Sequence, residues 1–174
     1  MMSMEKNIEI QELNIQPQAG VIGVFSRLNY KPWYAIAEFV DNSTQSFYSH
    51  QQELADAGIN DIVVSIKYDV ENDVLIIMDT AFGMEIEDFA RAVKIDSPTD
   101  DKTGRNEFGM GLKTAASWFG NIWSVRSTQF GSNHEYYTEI NIPELRSNNI
   151  NCVTIKRTIV DPSSHGRTIM IREV

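Results

Sequence analysis

The run Gly104-Arg105-Asn106-Glu107-Phe108-Gly109-Met110-Gly111-Leu112-Lys113 constrains this chain more than any other segment. Residues 95–108 lose all periodicity and gather Pro, Gly, Asp and Thr, whereas Met110 to Phe119 is rich in Ala and closed by Gly120 and Asn121. A mobile loop running into a helix N-terminus is the local structure this predicts. It is not a Walker loop, which needs Lys directly after the second Gly of GxxxxG, because Met110 follows Gly109. Nor does it open the first helix after a first strand, as a Rossmann fingerprint does. It keeps what those loops share: free N–H groups and the helix dipole attract a phosphate, and Lys113 in the first turn adds a point charge. A structural turn with a surface Lys is the alternative.

Two upstream blocks carry matching chemistry. Glu38-Phe39-Val40-Asp41-Asn42 lies in a segment from Pro32 that reads as a long helix. Pro is tolerated in a first turn, Ile36, Phe39, Val40 and Phe47 recur at helical spacing, and Gly58 stops it. Spacings of three and four bring Glu38, Asn42 and Gln45 to one face opposite that stripe, with Asp41 on its margin. An Asn oxygen can complete the shell of a Mg²⁺ that otherwise holds waters and phosphate oxygens, while a Glu one turn away can orient or deprotonate a water. A polar, solvated helix face would look the same in this block alone. The second block, Asp79-Thr80-Ala81-Phe82-Gly83-Met84, ends an apolar run. An acid at a strand's end before a small-residue turn can accept a hydrogen bond from an exocyclic amine while a flat base approaches the backbone. An ordinary turn is the other reading.

The remaining pattern supplies the frame. Ile62 to Tyr68 and Val74 to Met78, separated by Asp69, Glu71, Asn72 and Asp73, read as a hairpin. Glu85 to Val93 reads as a short helix with an apolar face at Ile86, Phe89, Ala90 and Val93. Ile122 to Thr128, Glu135 to Ile142, Cys152 to Val160 and Arg167 to Arg172 read as strands. The predicted fold class is α/β (α+β), a two-layer sandwich with helices on one face of a mixed, mostly antiparallel sheet. Residues 1–20 are polar without strong periodicity and predict an N-terminal arm or a loosely attached first strand, leaving residues 21–174 as the domain. At 174 residues and 42% hydrophobic, one domain is expected.

Charge and cysteine usage narrow the function classes. Fifteen basic against twenty-four acidic residues give a net charge of -9, which argues against direct nucleic-acid binding; other domains or subunits would make any DNA contact. Cys152 is the only cysteine, so neither an internal disulfide nor a cysteine metal cage is available, and a cytoplasmic, reducing setting fits. No stretch approaches the roughly 20 apolar residues that span a bilayer, and the polar start lacks a signal core, so a soluble chain without a membrane partner is expected. His50, His134 and His165 lack metal spacing and read as surface or turn residues. Trp33, Tyr34, Trp118 and Trp123 lie beside apolar faces and read as core or subunit contacts, and no basic aromatic strip suits single strands.

In the order Glu-x-x-x-Asn, Asp-x-x-x-Gly, Gly-x-Gly-x-Lys, the three blocks resemble the GHKL superfamily. These Bergerat-fold ATPases include DNA gyrase B subunits, mismatch-repair MutL proteins, heat-shock chaperones, microrchidia proteins and histidine kinases. The resemblance covers roughly residues 30–173, and AIAEFVDNS and FGMGLKTAA look most like the microrchidia-type and related prokaryotic branch. It implies a Bergerat ATP-binding fold that takes ATP and Mg²⁺. Carried onto this chain, it makes Glu38 the general base for water attack on the γ-phosphate, Asn42 the Mg²⁺ ligand and Asp79 the acceptor for the adenine amine. Gly83 and Met84 would line the base pocket, and Ser97 to Phe108 would form the ATP lid. Gly109, Met110, Gly111 and Leu112 would present N–H groups to the phosphates, joined by Lys113.

The resemblance further implies slow ATP hydrolysis that drives lid closure and dimerisation, with residues 1–31 as an exchange arm. Many relatives also receive a catalytic Lys from a following domain. Histidine kinases usually lack an acid where Glu38 stands, so a hydrolase is expected over a histidine-kinase-like phosphotransferase. A non-hydrolysing nucleotide-binding regulatory module is the alternative, and it would have no use for Glu38. Three positions depart from the pattern: Ala81 where a further Gly is common, Gln45 where many members have an acid, and Arg167. With ungapped pairing, Arg167 takes the place of the Thr that helps hold adenine, and strand alternation turns Thr168 away.

Overall fold

The apolar stripe of the first long helix extends further than its predicted members. In the computed structural model, which describes residues 8–14, 31–94, 111–148 and 152–174, helix α1 (Pro32–Ser49) starts with Pro in its first turn and buries Ala35, Phe39, Ser43 and Phe47, one residue per turn. The helix breaks at His50 (φ -122, ψ 22) and resumes as α2 (Gln51–Asp56). Gly58, at φ +82, then takes the left-handed conformation that ends helices cheaply only without a Cβ.

Strands β2 (Val64–Asp69) and β3 (Val74–Asp79) form the predicted hairpin. Its turn is held by Asp69, whose carboxylate accepts the backbone N–H groups of Glu71 and Asn72. Helix α3 (Ile86–Val93) follows, then α4 (Gly111–Phe119), β4 (Ile122–Thr128) and β5 (His134–Asn141). Where the pattern predicts that the fifth strand continues through Ile142, a short helix α5 (Ile142–Ser147) begins instead. Asn141 caps it by accepting from the Glu144 N–H, and Pro143 sits in its first turn, a start signal the alternation obscures. Strands β6 (Cys152–Ile159) and β7 (Gly166–Arg172) complete the order. At the far edge, β1 (Ile8–Asn14) pairs along its length with β6.

The seven strands form one sheet in the order β1-β6-β5-β4-β7-β3-β2, and every described pairing is antiparallel. Leu75 and Ile77 from β3, Val125 from β4, and Ile169 and Ile171 from β7 pack against Ala35 and Phe39 of α1, Phe89 and Val93 of α3, and Ala115 and Ala116 of α4. Side-chain alternation matters most in the central pair. Asp79 stands directly opposite Arg167, in line with Ile77 and Leu75 on one strand and with Ile169 and Ile171 on the other. Both charged residues therefore face the helices, and Thr168 takes the opposite face, as the alternation predicts. The result is an α/β sandwich of helices on an open antiparallel sheet. No described helix is long and apolar enough to cross a membrane.

Candidate functional site

Burying a carboxylate in this sheet requires that its lone pairs be met, and Asp79 has recruited partners from three elements. Its side chain is only 2% exposed. Oδ2 takes Arg167 Nε at 3.1 Å and Nη2 at 3.0 Å, and lies 2.7 Å from Ser43 Oγ. The single Ser43 hydroxyl proton has two acceptors in reach, that carboxylate and the Phe39 carbonyl at 2.9 Å; the closer, charged oxygen makes the stronger bond. Ser43 in turn accepts from Arg167 Nη2 at 2.9 Å. Oδ1 is differently placed: among the described residues it accepts only the Ala81 N–H, at 3.2 Å, and keeps a lone pair.

The turn after Asp79 is fixed as tightly. Gly83 sits at φ +83 with the Thr128 carbonyl oxygen 1.9 Å from where a Cβ would stand, so no other residue fits there. The Met84 N–H donates to Ser127 Oγ, which donates to the Gly166 carbonyl, linking the turn through β4 to β7. Phe82 is buried, and His50 lies flat on it with ring centroids 3.8 Å apart. His165 Nδ1 lies 2.8 Å from the Ala81 carbonyl, and its ring meets Phe130 edge-on. His50 and His165, expected as surface or turn residues, are half-buried and packed around this turn.

A cavity of about 330 Å³ opens over these groups, within the range of small-molecule sites. Asn42, Gln45, Ser46, Ser49 and His50 line it from α1 and its break, and Asp79, Gly83 and Met84 from the turn. Asp88, Arg91 and Ala92 of α3, Gly111 and Leu112 of α4, and Arg167 of β7 complete the wall. At the α4 end, a Cβ on Gly111 would stand 2.3 Å from Glu38 Oε2 and 3.8 Å from Asn42 Nδ2. The sequence-predicted Glu38 and Asn42 thus meet at Gly111, the first described residue of α4.

Lys113 is placed differently from the expected phosphate contact. It is 3% exposed, and its Nζ donates to the carbonyls of Arg91, at 3.3 Å, and Lys94. The ammonium therefore closes the C-terminal end of α3, where free carbonyls favour a cation, and joins the two described ends of the span 95–110. Gly109, Met110 and the lid assigned to Ser97–Phe108 lie outside the described residues. Ser43 is the functional side chain the sequence reading passed over. Its signal was a lone hydroxyl between Phe39 and Phe47 on the apolar stripe, where burial demands a partner.

For Mg²⁺, the donor set offers one amide, Asn42, beside Glu38. The described residues contain no group of three or more His, Cys, Asp or Glu that could hold a metal. Comparison with curated proteins returns no match. The model of the family described as histidine kinase-, DNA gyrase B-, and HSP90-like ATPase matches residues 30–166, most of the chain and every element of the cavity wall except Arg167. The chain belongs to that family, the GHKL-type ATP-binding domains.

Proposed function

We propose that this domain binds Mg-ATP in the cavity between α1, α3 and α4 and hydrolyses the γ-phosphate. The observation that carries the proposal is that two chemically different ends share one cavity. Asp79 offers a fixed acceptor at one end, and Asn42 and Gly111 line the other, with the Glu38 carboxylate against Gly111. The adenine amine would donate to Asp79 Oδ1, with the base against the Gly83-Met84 backbone. The phosphates would lie over Gly111 and Leu112, whose N–H groups stabilise negative charge without reorganising. Glu38 would take the proton of the attacking water as general base. Asn42 would supply the protein ligand to Mg²⁺, which when bound neutralises phosphate charge and orients the γ-phosphoryl group. A phosphate role for Lys113 requires its release from the Arg91 and Lys94 carbonyls, so in this conformation it acts as a tether.

Within the family, we place the chain nearest the microrchidia-type branch on the segments AIAEFVDNS and FGMGLKTAA. ATP-driven lid closure and pairing of two copies through the N-terminal segment complete the proposal. Gel filtration with a non-hydrolysable ATP analogue should shift the protein to a dimer, and a monomer at high concentration would refute that part. Hydrolysis is tested by Glu38→Ala. Turnover falling at least about a hundredfold with binding kept supports a general base; equal background turnover in both forms supports a non-hydrolysing module. Transfer of label from γ-labelled ATP to a protein side chain would indicate a phosphotransferase.

A further inference from the structure

We propose that the outer edge of β2 pairs with the same edge of a second copy of this chain, antiparallel and two-fold about Tyr68. β2 ends the sheet beyond β3, and among the described residues no strand lies on its other side. The ladder to β3 fixes which backbone groups are left over. The Val63 carbonyl accepts the Thr80 N–H at 3.0 Å, so Val63, Ser65, Lys67 and Asp69 turn their backbone groups inward to β3, while Val64, Ile66 and Tyr68 turn theirs outward. Such a row of outward donors and acceptors is a template for another strand. Large apolar side chains accompany it. Val70 is 76% and Val63 60% exposed, and Ile66 and Tyr68 between them are exposed as well, a cluster of the kind that marks a contact surface.

The charges on this strand select the occupant. Ile66 and Tyr68 stand opposite Ile77 and Leu75 of the core face, so Lys67 and Asp69 share the face turned away from the helices. A Lys on an edge strand opposes pairing with an arbitrary strand, and favours one that sets an acid opposite it. This chain carries that acid itself. With Tyr68 opposite Tyr68 of the second copy, Lys67 of each copy meets Asp69 of the other, and Ile66 meets Val70 on the helix-side face. The outward N–H and C=O of the two Tyr68 residues then bond each other reciprocally. The turn's hydrogen bonds, that of the Asn72 amide foremost, hold the Asp69 carboxyl below the usual range, so it is ionised to meet Lys67. A two-fold about Ile66 would instead set Lys67 opposite Ser65 and leave both charges without a partner across the ladder. The contact needs no nucleotide, and it lies at the opposite end of the sheet from β1, so ATP-driven pairing through the N-terminal segment would leave it free.

The test is sedimentation equilibrium of the whole chain without nucleotide, from about 10 µM to about 1 mM, the range suited to a small, transient interface such as a six-residue edge gives. The wild-type chain should show a monomer–dimer equilibrium. Lys67→Glu sets an acid opposite Asp69 and should weaken that equilibrium about 10-fold or more, with unchanged circular dichroism. Ile66→Pro removes an outward N–H without touching the ladder to β3, and should weaken it at least as much. Register is read by oxidative crosslinking in a Cys152→Ser background, which removes the one native thiol. Tyr68→Cys should give a disulfide-linked dimer, since residues opposed in an outward-bonded pair have Cα atoms about 5.5 Å apart. Ile66→Cys, about 13 Å or more from its counterpart, should not. A chain still monomeric at about 1 mM overturns the proposal and leaves the edge to a strand of another protein. Self-association that both folded variants retain also overturns it, as does faster crosslinking through Ile66→Cys than through Tyr68→Cys.

Discussion

Replacing Arg167 by Met should destabilise the domain severely, although the site is small and Met roughly matches the removed stem. The change deletes the Nε and Nη2 contacts at 3.1 and 3.0 Å to Asp79 Oδ2 and the 2.9 Å bond to Ser43. A carboxylate 2% exposed then keeps, among the described residues, only Ser43 and the Ala81 N–H as donors. Breaking a buried pair by removing one partner costs about 3–5 kcal/mol, chiefly because the remaining charge stays desolvated. Domains of this kind have about 5–15 kcal/mol in total, so about a fifth or more of the stability is at stake. For a chain of this length that corresponds to a drop in Tm of about 6–20 °C. Urea unfolding followed by tryptophan fluorescence gives the cost, and the double variant Asp79→Asn with Arg167→Met gives the coupling. Without a stranded charge, the double variant should be more stable than Arg167→Met alone, with a coupling of at least about 2 kcal/mol. A single-variant cost below about 1 kcal/mol, or simple additivity, would refute the claim that the pair is a buried unit. The same reasoning warns that Asp79→Asn alone strands a buried guanidinium, so its effect on ATP binding must be measured beside its effect on folding.

Other outcomes follow from the same geometry. Glu38→Gln should lower ATP turnover by about 10²–10⁴-fold while the Kd for Mg-ATP stays within about threefold, and an equal loss in both would place Glu38 in binding instead of proton transfer. Gly83→Ala should cost at least about 2 kcal/mol in urea unfolding, since it adds a backbone clash with Thr128 to the left-handed strain; Gly58→Ala, with open space around it, should cost only about 1–2 kcal/mol. Desolvation holds the hydroxyls of Tyr136 and Tyr137 above the ordinary tyrosine range. Because their folded-state values are raised, their contribution to stability is full below about pH 10 and is lost as the pH rises through the shifted values. Absorbance at 295 nm should therefore show late-titrating tyrosines that Tyr137→Phe reduces by one, whereas uniform titration of a folded chain near pH 10 would contradict their burial.

Most of the architecture was legible because each strand carries its alternation within itself. Ile169 and Ile171 on β7 and Leu75 and Ile77 on β3 take the core face, and the register that sets Arg167 opposite Asp79 emerges only from the folded pairing. The strand that carries Arg167 could be read from sequence, but its partner across the ladder and its hydrogen bonds could not. Whether a guanidinium turns to a carboxylate, a serine or a ligand depends on the helix packed above it, and that contact is long-range. Ser43 was missed for the same reason: helical periodicity places it on the buried stripe, while its partner lies 36 residues away. Local competition misplaced the end of β5, where capping by Asn141 outweighs the apolar Ile142 that extended the strand pattern. Lys113 shows the limit of motif reasoning. Its spacing from the glycines places it in the first turn of α4, yet the carbonyl end of α3 is what its ammonium reaches.

The central claim is that the cavity takes Mg-ATP, and calorimetric titration of the whole chain with Mg-ATP, beside Asn42→Ala, tests it most directly. The account predicts saturable one-site binding that Asn42→Ala weakens in the presence of Mg²⁺. It also predicts a gain of about 2.7 kcal/mol in unfolding free energy at a hundred times the Kd. A chain shown by circular dichroism to be folded, and neither binding nor stabilised by Mg-ATP at millimolar concentration, would contradict it.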